Sequence, residues 1–340
     1  MTQIVGGDGQ PTKGAQTHIM GGAALMRSIL PFFQASPDGV RGILQLCFSM
    51  LATVSCSIQQ LSPEPNLVIP TLPVASMAEG MLPPEFFDLV NLCSSTVTAE
   101  DLPGAQLANV LSQFVQLVAF VRSRLFKDGQ PETFAMIRQA LEMEERLDDW
   151  ERRQDGIWGC VEERADEGTF PRDAVFEGCY HTYANMWTAR VWTNYRFARI
   201  LTGQLLLENV DRFPSSSLPL ISVGRQRQLY ETIKRVARDT LVSVPTHYRH
   251  PRLDHKQCVY FDKTKGGAGI GAAQIPTLLF QIKVAGAAPG IPHSYHEWAL
   301  SMIETIWADT GMLQAKRLSE LLAKSRSDSR SRLLAKLEDG

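Results

Sequence analysis

No two cysteines of the 340-residue chain are spaced as CxxC; the six, Cys47, Cys56, Cys93, Cys160, Cys179 and Cys258, are scattered. A zinc module built on that spacing is therefore excluded. A chain of this length can bury a large core without disulfides, so reduced and mostly buried thiols are expected. Neither sign of charge is in excess: the net charge of −2 gives no general attraction to nucleic acid or to an anionic membrane. The first residues lack the basic region and apolar run of a secretory signal. The apolar stretch at 43–56 is too short to span a bilayer and contains Gln45 and Ser49. Nucleophile-elbow (GxSxG) and P-loop patterns are missing. No stretch alternates apolar and polar over a strand's length, and no short-period repeat occurs. These absences lead us to expect a soluble intracellular protein, nuclear or cytoplasmic, with no membrane contact.

What is present is helical patterning. Hydrophobic residues make up 44% and charged residues 21%, a globular composition. The centre of the chain is 178–208, which holds no proline and only Gly178 and Gly203 as glycines. Tyr183, Trp187, Val191, Tyr195, Ala198, Leu201 and Leu205 recur in steps of three and four, the helical period. Trp192, Arg196 and Arg199 form a second face. A helix that is apolar on more than one side has to be packed on most of its circumference.

Around it the spacing predicts helices at 15–33, 37–58, 83–93, 107–126, 132–153, 225–242, 272–287, 292–310 and 313–323. In 132–153, Phe134, Ile137, Leu141, Leu147 and Trp150 are expected inside, and Glu142, Glu144, Glu145, Asp148, Asp149 and Glu151 outside. The proline-rich stretch at 62–73, and the segments 154–174 and 246–271, are read as irregular connections. The prediction is an all-α fold: a single irregular helical domain of about ten helices around a long central helix. It would span 15–323, with a flexible arm at 1–14 and a polar C-terminal tail at 324–340.

Several clusters invite a chemical reading. Gly267, Gly269 and Ala272 fit the looser dinucleotide-loop spacing, but without a βαβ unit they read as a flexible turn. His247, His250, His255 and Cys258 are metal-ligand types at intervals that match neither HExxH nor a zinc finger, so no metal site is assigned. The acidic run at 142–151 is interrupted by Arg146 and followed by Arg152 and Arg153, as on a solvated, salt-bridged face. Cys179 lies two residues from His181 and Cys258 follows three histidines; packed thiols are the commoner outcome. His18, His293 and His296 read as packed or surface histidines. Trp192, Arg196 and Arg199 could form a cation–π and anion-binding face, or the arginine stems could pack over the tryptophan.

The stretch at 183–201, Tyr-Ala-Asn-Met-Trp-Thr-Ala-Arg-Val-Trp-Thr-Asn-Tyr-Arg-Phe-Ala-Arg-Ile-Leu, resembles a signature of fungal-specific transcription factor domains. These are the helical regulatory regions that follow a binuclear zinc-cluster DNA reader. The segments 17–25, with His18 before Gly-Ala, 237–245, ending in Ser-Val-Pro, 278–290 and 298–318 are similar to other parts of the family, in the same order. The zinc cluster would need six closely spaced cysteines, and these six are not so placed. The resemblance therefore implies a regulatory or ligand-binding module without a DNA-binding zinc cluster, linked to fungal secondary metabolism. It carries over no catalytic residue and calls for no cofactor.

Two functions follow as expectations. In the first, the chain acts through a partner protein or a small apolar metabolite, without direct nucleic-acid binding. Its candidate ligand-binding residues are Trp187, Trp192, Tyr195, Arg196 and Arg199. In the second, the same scaffold is a cofactor-independent enzyme that cyclises or isomerises an apolar metabolite with His or Arg chemistry. An open pocket lined by Trp187, Trp192, Tyr195 and Arg196 would favour the enzyme.

Overall fold

Where apolar residues recur every three or four positions, the chain is helical. A computed structural model describes residues 84–124, 126–165, 174–248 and 275–338, with 28, 39–44, 47, 48 and 51; side chains at 84, 85, 122, 123 and 326–338 are not described. The protein is predominantly α-helical, with about ten helices and, among the described residues, a single two-stranded sheet. The expected helix at 15–33 is represented by helical Ser28, and that at 37–58 by helical 39–44, 47, 48 and 51. The arm at 1–14, His18, the proline-rich connector, the glycine loop, His250, His255 and Cys258 lie outside the described residues.

In chain order the elements are α1 (Pro84–Thr96), α2 (Leu102–Ser123), α3 (Pro131–Arg152), β1 (Cys160–Arg164), β2 (Cys179–Tyr183), α4 (Met186–Arg212), α5 (Pro214–Ser217), α6 (Val223–His247), α7 (Ile275–Gly286), α8 (His293–Thr310) and α9 (Leu313–Glu338). They divide between two compact units: Met1–Gln154 with Asn209–Leu220, and Asp155–Glu208 with Ile221–Gly340. The last turn of α4 belongs to the first unit and the rest to the second.

In the first unit α1 packs on α2, α2 on α3, and α3 on α5. Phe86, Leu89, Val90 and Cys93 of α1 are all buried, as their spacing predicts, and so are Leu107, Val110, Leu111, Phe114, Val115, Leu117, Val118 and Val121 of α2. The stretch Leu102–Val121 is long and apolar enough to cross a membrane, yet 72% of its most apolar window is buried, as in the core helix of a globular fold. Pro103 sits in the first turn of α2, and its carbonyl accepts the Trp150 indole N–H of α3 at 2.8 Å. The Asp128 carboxylate accepts from the backbone N–H groups of Ser215 and Ser216 at 2.9 and 2.8 Å, tying the turn before α3 to α5. Glu144 departs from expectation: it is buried although it sits in the acidic run of α3. The reason is position, because Glu144 lies one turn from Ala140 and three residues from Leu147, both of which face the core.

In the second unit β2 lies against α6, α6 packs on α7, α7 on α8, and α8 and α7 on α9. Gly286 permits the α7–α8–α9 contact, since a Cβ there would sit 2.5 Å from Ala299 Cβ and 3.3 Å from Leu322. Its carbonyl accepts from His296 Nδ1 at 2.9 Å. The helix at 313–323 continues unbroken to Glu338.

The two strands are the main difference from the sequence reading. Residues 179–183, expected within the first turns of the central helix, are extended, and so are 160–164 in the expected irregular connection. They pair antiparallel with Cys160 opposite Tyr183 and Glu162 opposite His181. Glu177 and Gly178 carry positive φ of 52° and 70°, which turns the chain into β2 and prevents a helix from starting there.

Candidate functional site

The 27 residues of α4 span about 40 Å. All ten residues from 191 to 200 are buried, so the helix is packed on its whole circumference over that stretch. Its polar side chains therefore have to find partners inside the protein.

Arg196 finds them on the hairpin. One guanidinium nitrogen donates to the Tyr183 hydroxyl at 2.7 Å; the other donates to His181 Nδ1 at 3.2 Å and lies 3.8 Å from Cys160 Sγ. The guanidinium carbon stands 5.3 Å from the Trp192 ring centre and 5.9 Å from that of Tyr183. The Trp192 indole N–H donates to the Trp158 carbonyl at 2.7 Å, and its ring meets Tyr195 edge-on at 5.4 Å. The strand period places Cys179, His181 and Tyr183 on one face of β2, directed at α4 and α6. The Thr246 hydroxyl of α6 donates to the His181 carbonyl.

An arginine only donates, so His181 Nδ1 must carry a lone pair and its proton sits on Nε2. Burial, then the Arg196 charge, pull the imidazole down to about 3, against a smaller opposing pull from Glu162. Nε2 is 3.8 Å from the Glu162 carboxylate, beyond hydrogen-bond distance. Glu162 belongs to Arg238 of α6, which grips both its oxygens at 2.6 and 3.0 Å and holds Glu177 at 2.7 Å. That grip holds the Glu162 carboxyl down at about 2, although partial burial opposes it. Phe176, one residue before the positive-φ pair, is met edge-on by Tyr295 at 4.9 Å and Trp298 at 5.3 Å, both on α8. The start of β2 is thus pinned on both sides.

No family model matches the chain, and no curated protein or solved structure matches it.

All five candidates from the sequence, Trp187, Trp192, Tyr195, Arg196 and Arg199, are buried on α4. Trp192 and Arg196 come together as expected, but their polar atoms are taken up by the chain itself. Trp187 stands apart from that pair and meets Trp158 edge-on at 6.5 Å. His247 ends α6, and its Nε2 lies 2.9 Å from the Thr193 hydroxyl. That hydroxyl donates to the Ala189 carbonyl at 2.8 Å, so His247 is the donor to it. Among the described residues no group of three His, Cys, Asp or Glu side chains is placed to hold a metal ion. Cys179 is no activated nucleophile: burial, then the neighbouring Glu162, push its thiol up.

The sequence reading weighed His181 only beside Cys179, and it missed Cys160, Glu162 and Arg238 as parts of this cluster. Little local signal marks them: residues 179–183 read Cys-Tyr-His-Thr-Tyr, rich in strand-favouring Tyr and Thr but without an apolar and polar alternation. Chemically, the cluster orders a hairpin on a helix. It offers no histidine nitrogen free to take a proton at neutral pH, because Nδ1 is engaged and Nε2 is protonated.

Proposed function

We propose that the chain is a regulatory, ligand- or partner-responsive module similar to fungal-specific transcription factor domains, without the cysteine spacing of their zinc cluster. The observation that carries this reading is the closure of Arg196, His181 and Tyr183 on one another. A catalytic cluster keeps an acid, base or nucleophile turned toward substrate, whereas this one spends its donors and acceptors on holding β2 to α4. The collinear sequence likeness and the helical architecture support the same reading, and the net charge of −2 is in keeping with a protein that does not grip duplex DNA.

Incubation with a panel of apolar metabolites tests it against the enzyme reading. Mass spectrometry should find the compounds unchanged. A new product whose formation is lost in Arg196→Met or His181→Gln would replace the regulatory reading with the enzymatic one.

A further inference from the structure

Ser215, Ser216 and Ser217 follow one another in α5, and the fold treats them differently. The Ser216 hydroxyl donates to the Asp128 carboxylate at 2.9 Å and accepts from the Gly129 N–H at 2.8 Å. The Ser217 hydroxyl donates to the Asn209 carbonyl at 2.8 Å. Both residues are 0% exposed. Ser215 is exposed, and of the three only its hydroxyl is open to an enzyme. Its backbone N–H donates to Asp128 at 2.9 Å, and its hydroxyl stands close enough to help hold that carboxylate ionised. Partial burial works against the Asp128 charge, but the Ser215 and Ser216 hydrogen bonds outweigh it and hold the carboxyl at about 2. Asp128 is therefore an anion at neutral pH, with an exposed hydroxyl beside it.

The surroundings of Ser215 fit an arginine-directed kinase. Arg212, three residues earlier, is exposed, and its guanidinium carbon lies 5.0 Å from the Phe213 ring centre. A guanidinium at that spacing is what the acidic groups of such a kinase's substrate cleft can grip. A kinase takes its substrate extended. Here α5 is a single turn of four residues, so opening it locally breaks few backbone bonds.

We propose that Ser215 is a phosphorylation site for an arginine-directed serine kinase, and that its phosphate releases α5 from the Asp128 turn. The γ-phosphoryl group of a nucleoside triphosphate passes to Ser215 Oγ. Its bond to the β–γ bridging oxygen breaks, the Oγ–P bond forms, the kinase's base takes the hydroxyl proton, and the nucleoside diphosphate leaves. The product carries a charge of about −1.5 to −2 at pH 7 beside the Asp128 carboxylate. Like-charge repulsion then opposes the bonds from Ser215 and Ser216 that tie the turn before α3 to α5. Both sides of this contact lie in the first compact unit. The inference goes beyond the regulatory reading, because a kinase can modify Ser215 whether or not the chain affects transcription.

The full chain, treated with ATP, magnesium and the catalytic subunit of cyclic-AMP-dependent protein kinase, tests it. Peptide mapping by mass spectrometry should find phosphate on Ser215, and Arg212→Gln should lose most of it. Treatment should lower Tm in wild type more than in Ser215→Ala, which carries any phosphate added elsewhere. In Asp128→Asn, which keeps the side-chain shape without the charge, treatment should lower Tm less than in wild type. The inference is overturned if Ser215 stays unmodified, if Arg212→Gln is modified equally, if Ser215→Ala shows the same fall in Tm, or if Asp128→Asn does.

Discussion

Arg196 donates to His181 Nδ1 across 3.2 Å, and this fixes a buried histidine as a neutral acceptor beside a permanent cation. The pair joins the middle of α4 to β2. It makes the hairpin, which no alternating pattern in the sequence announces, depend on the helix that dominates the sequence.

The His181 imidazole gives a pH dependence with a definite sign. Its folded value is pulled from 6.5 to about 3, so between those limits the unfolded chain binds a proton that the folded chain does not. Stability is therefore complete above pH 6.5 and falls as pH falls through the window. Glu162 and Asp128, both held down to about 2, act in the same direction but only below about pH 4.5 and 3.8. The interval from pH 6.5 to 4.5 separates the histidine from these two carboxylates. Thermal melts across it should show Tm falling with acid in wild type, and a shallower fall in His181→Gln. Parallel curves would remove the histidine from the account.

Removing the Tyr183 hydroxyl leaves a buried guanidinium donor without its acceptor. Tyr183→Phe should cost about 1–3 kcal/mol in urea unfolding, the penalty of an unsatisfied buried polar group. Combined with Arg196→Met, the loss should be less than the sum of the single losses, because the second change removes the stranded charge. Strict additivity would mean that the 2.7 Å contact contributes nothing.

Two glycines separate packing from helix propensity. A Cβ at Gly286 would meet the Cβ of Ala299 at 2.5 Å, an atom fixed to the α8 backbone. Gly286→Ala should therefore destabilise by about 1–3 kcal/mol. A Cβ at Gly203 would meet Cγ1 and Cδ1 of buried Ile233 at 2.9 and 3.0 Å, a smaller overlap and with side-chain atoms beyond Cβ. Alanine gains about 1 kcal/mol of helix propensity there, so Gly203→Ala should lie within about 1 kcal/mol of wild type. Equal losses in the two melts would contradict the assignment of α7–α9 as the tighter contact.

The helical stripes were legible because burial and period coincide. Phe86, Val90 and Cys93, or Leu107, Leu111 and Phe114, need only the α-helical repeat to be placed in a core. The hairpin was not legible. β1 reads Cys-Val-Glu-Glu-Arg, and its glutamates sit at a strand position only because Arg238 meets Glu162 and Tyr180 donates to Glu163 at 3.0 Å. Such strands are made by cross-strand and helix contacts rather than by local preference. The sequence nominated Trp192 and Arg196 as neighbours but gave no means of seeing that Tyr183 and His181 would occupy the guanidinium.

The chain is proposed above to be a regulatory module. A tethered reporter tests it most directly: the full chain is fused to a heterologous DNA-binding domain, and reporter output is compared with that domain alone in fungal cells. The account predicts output that differs between the two and that persists in Cys179→Ser, whose thiol has no part in the proposed function. Output equal to that of the DNA-binding domain alone would contradict it.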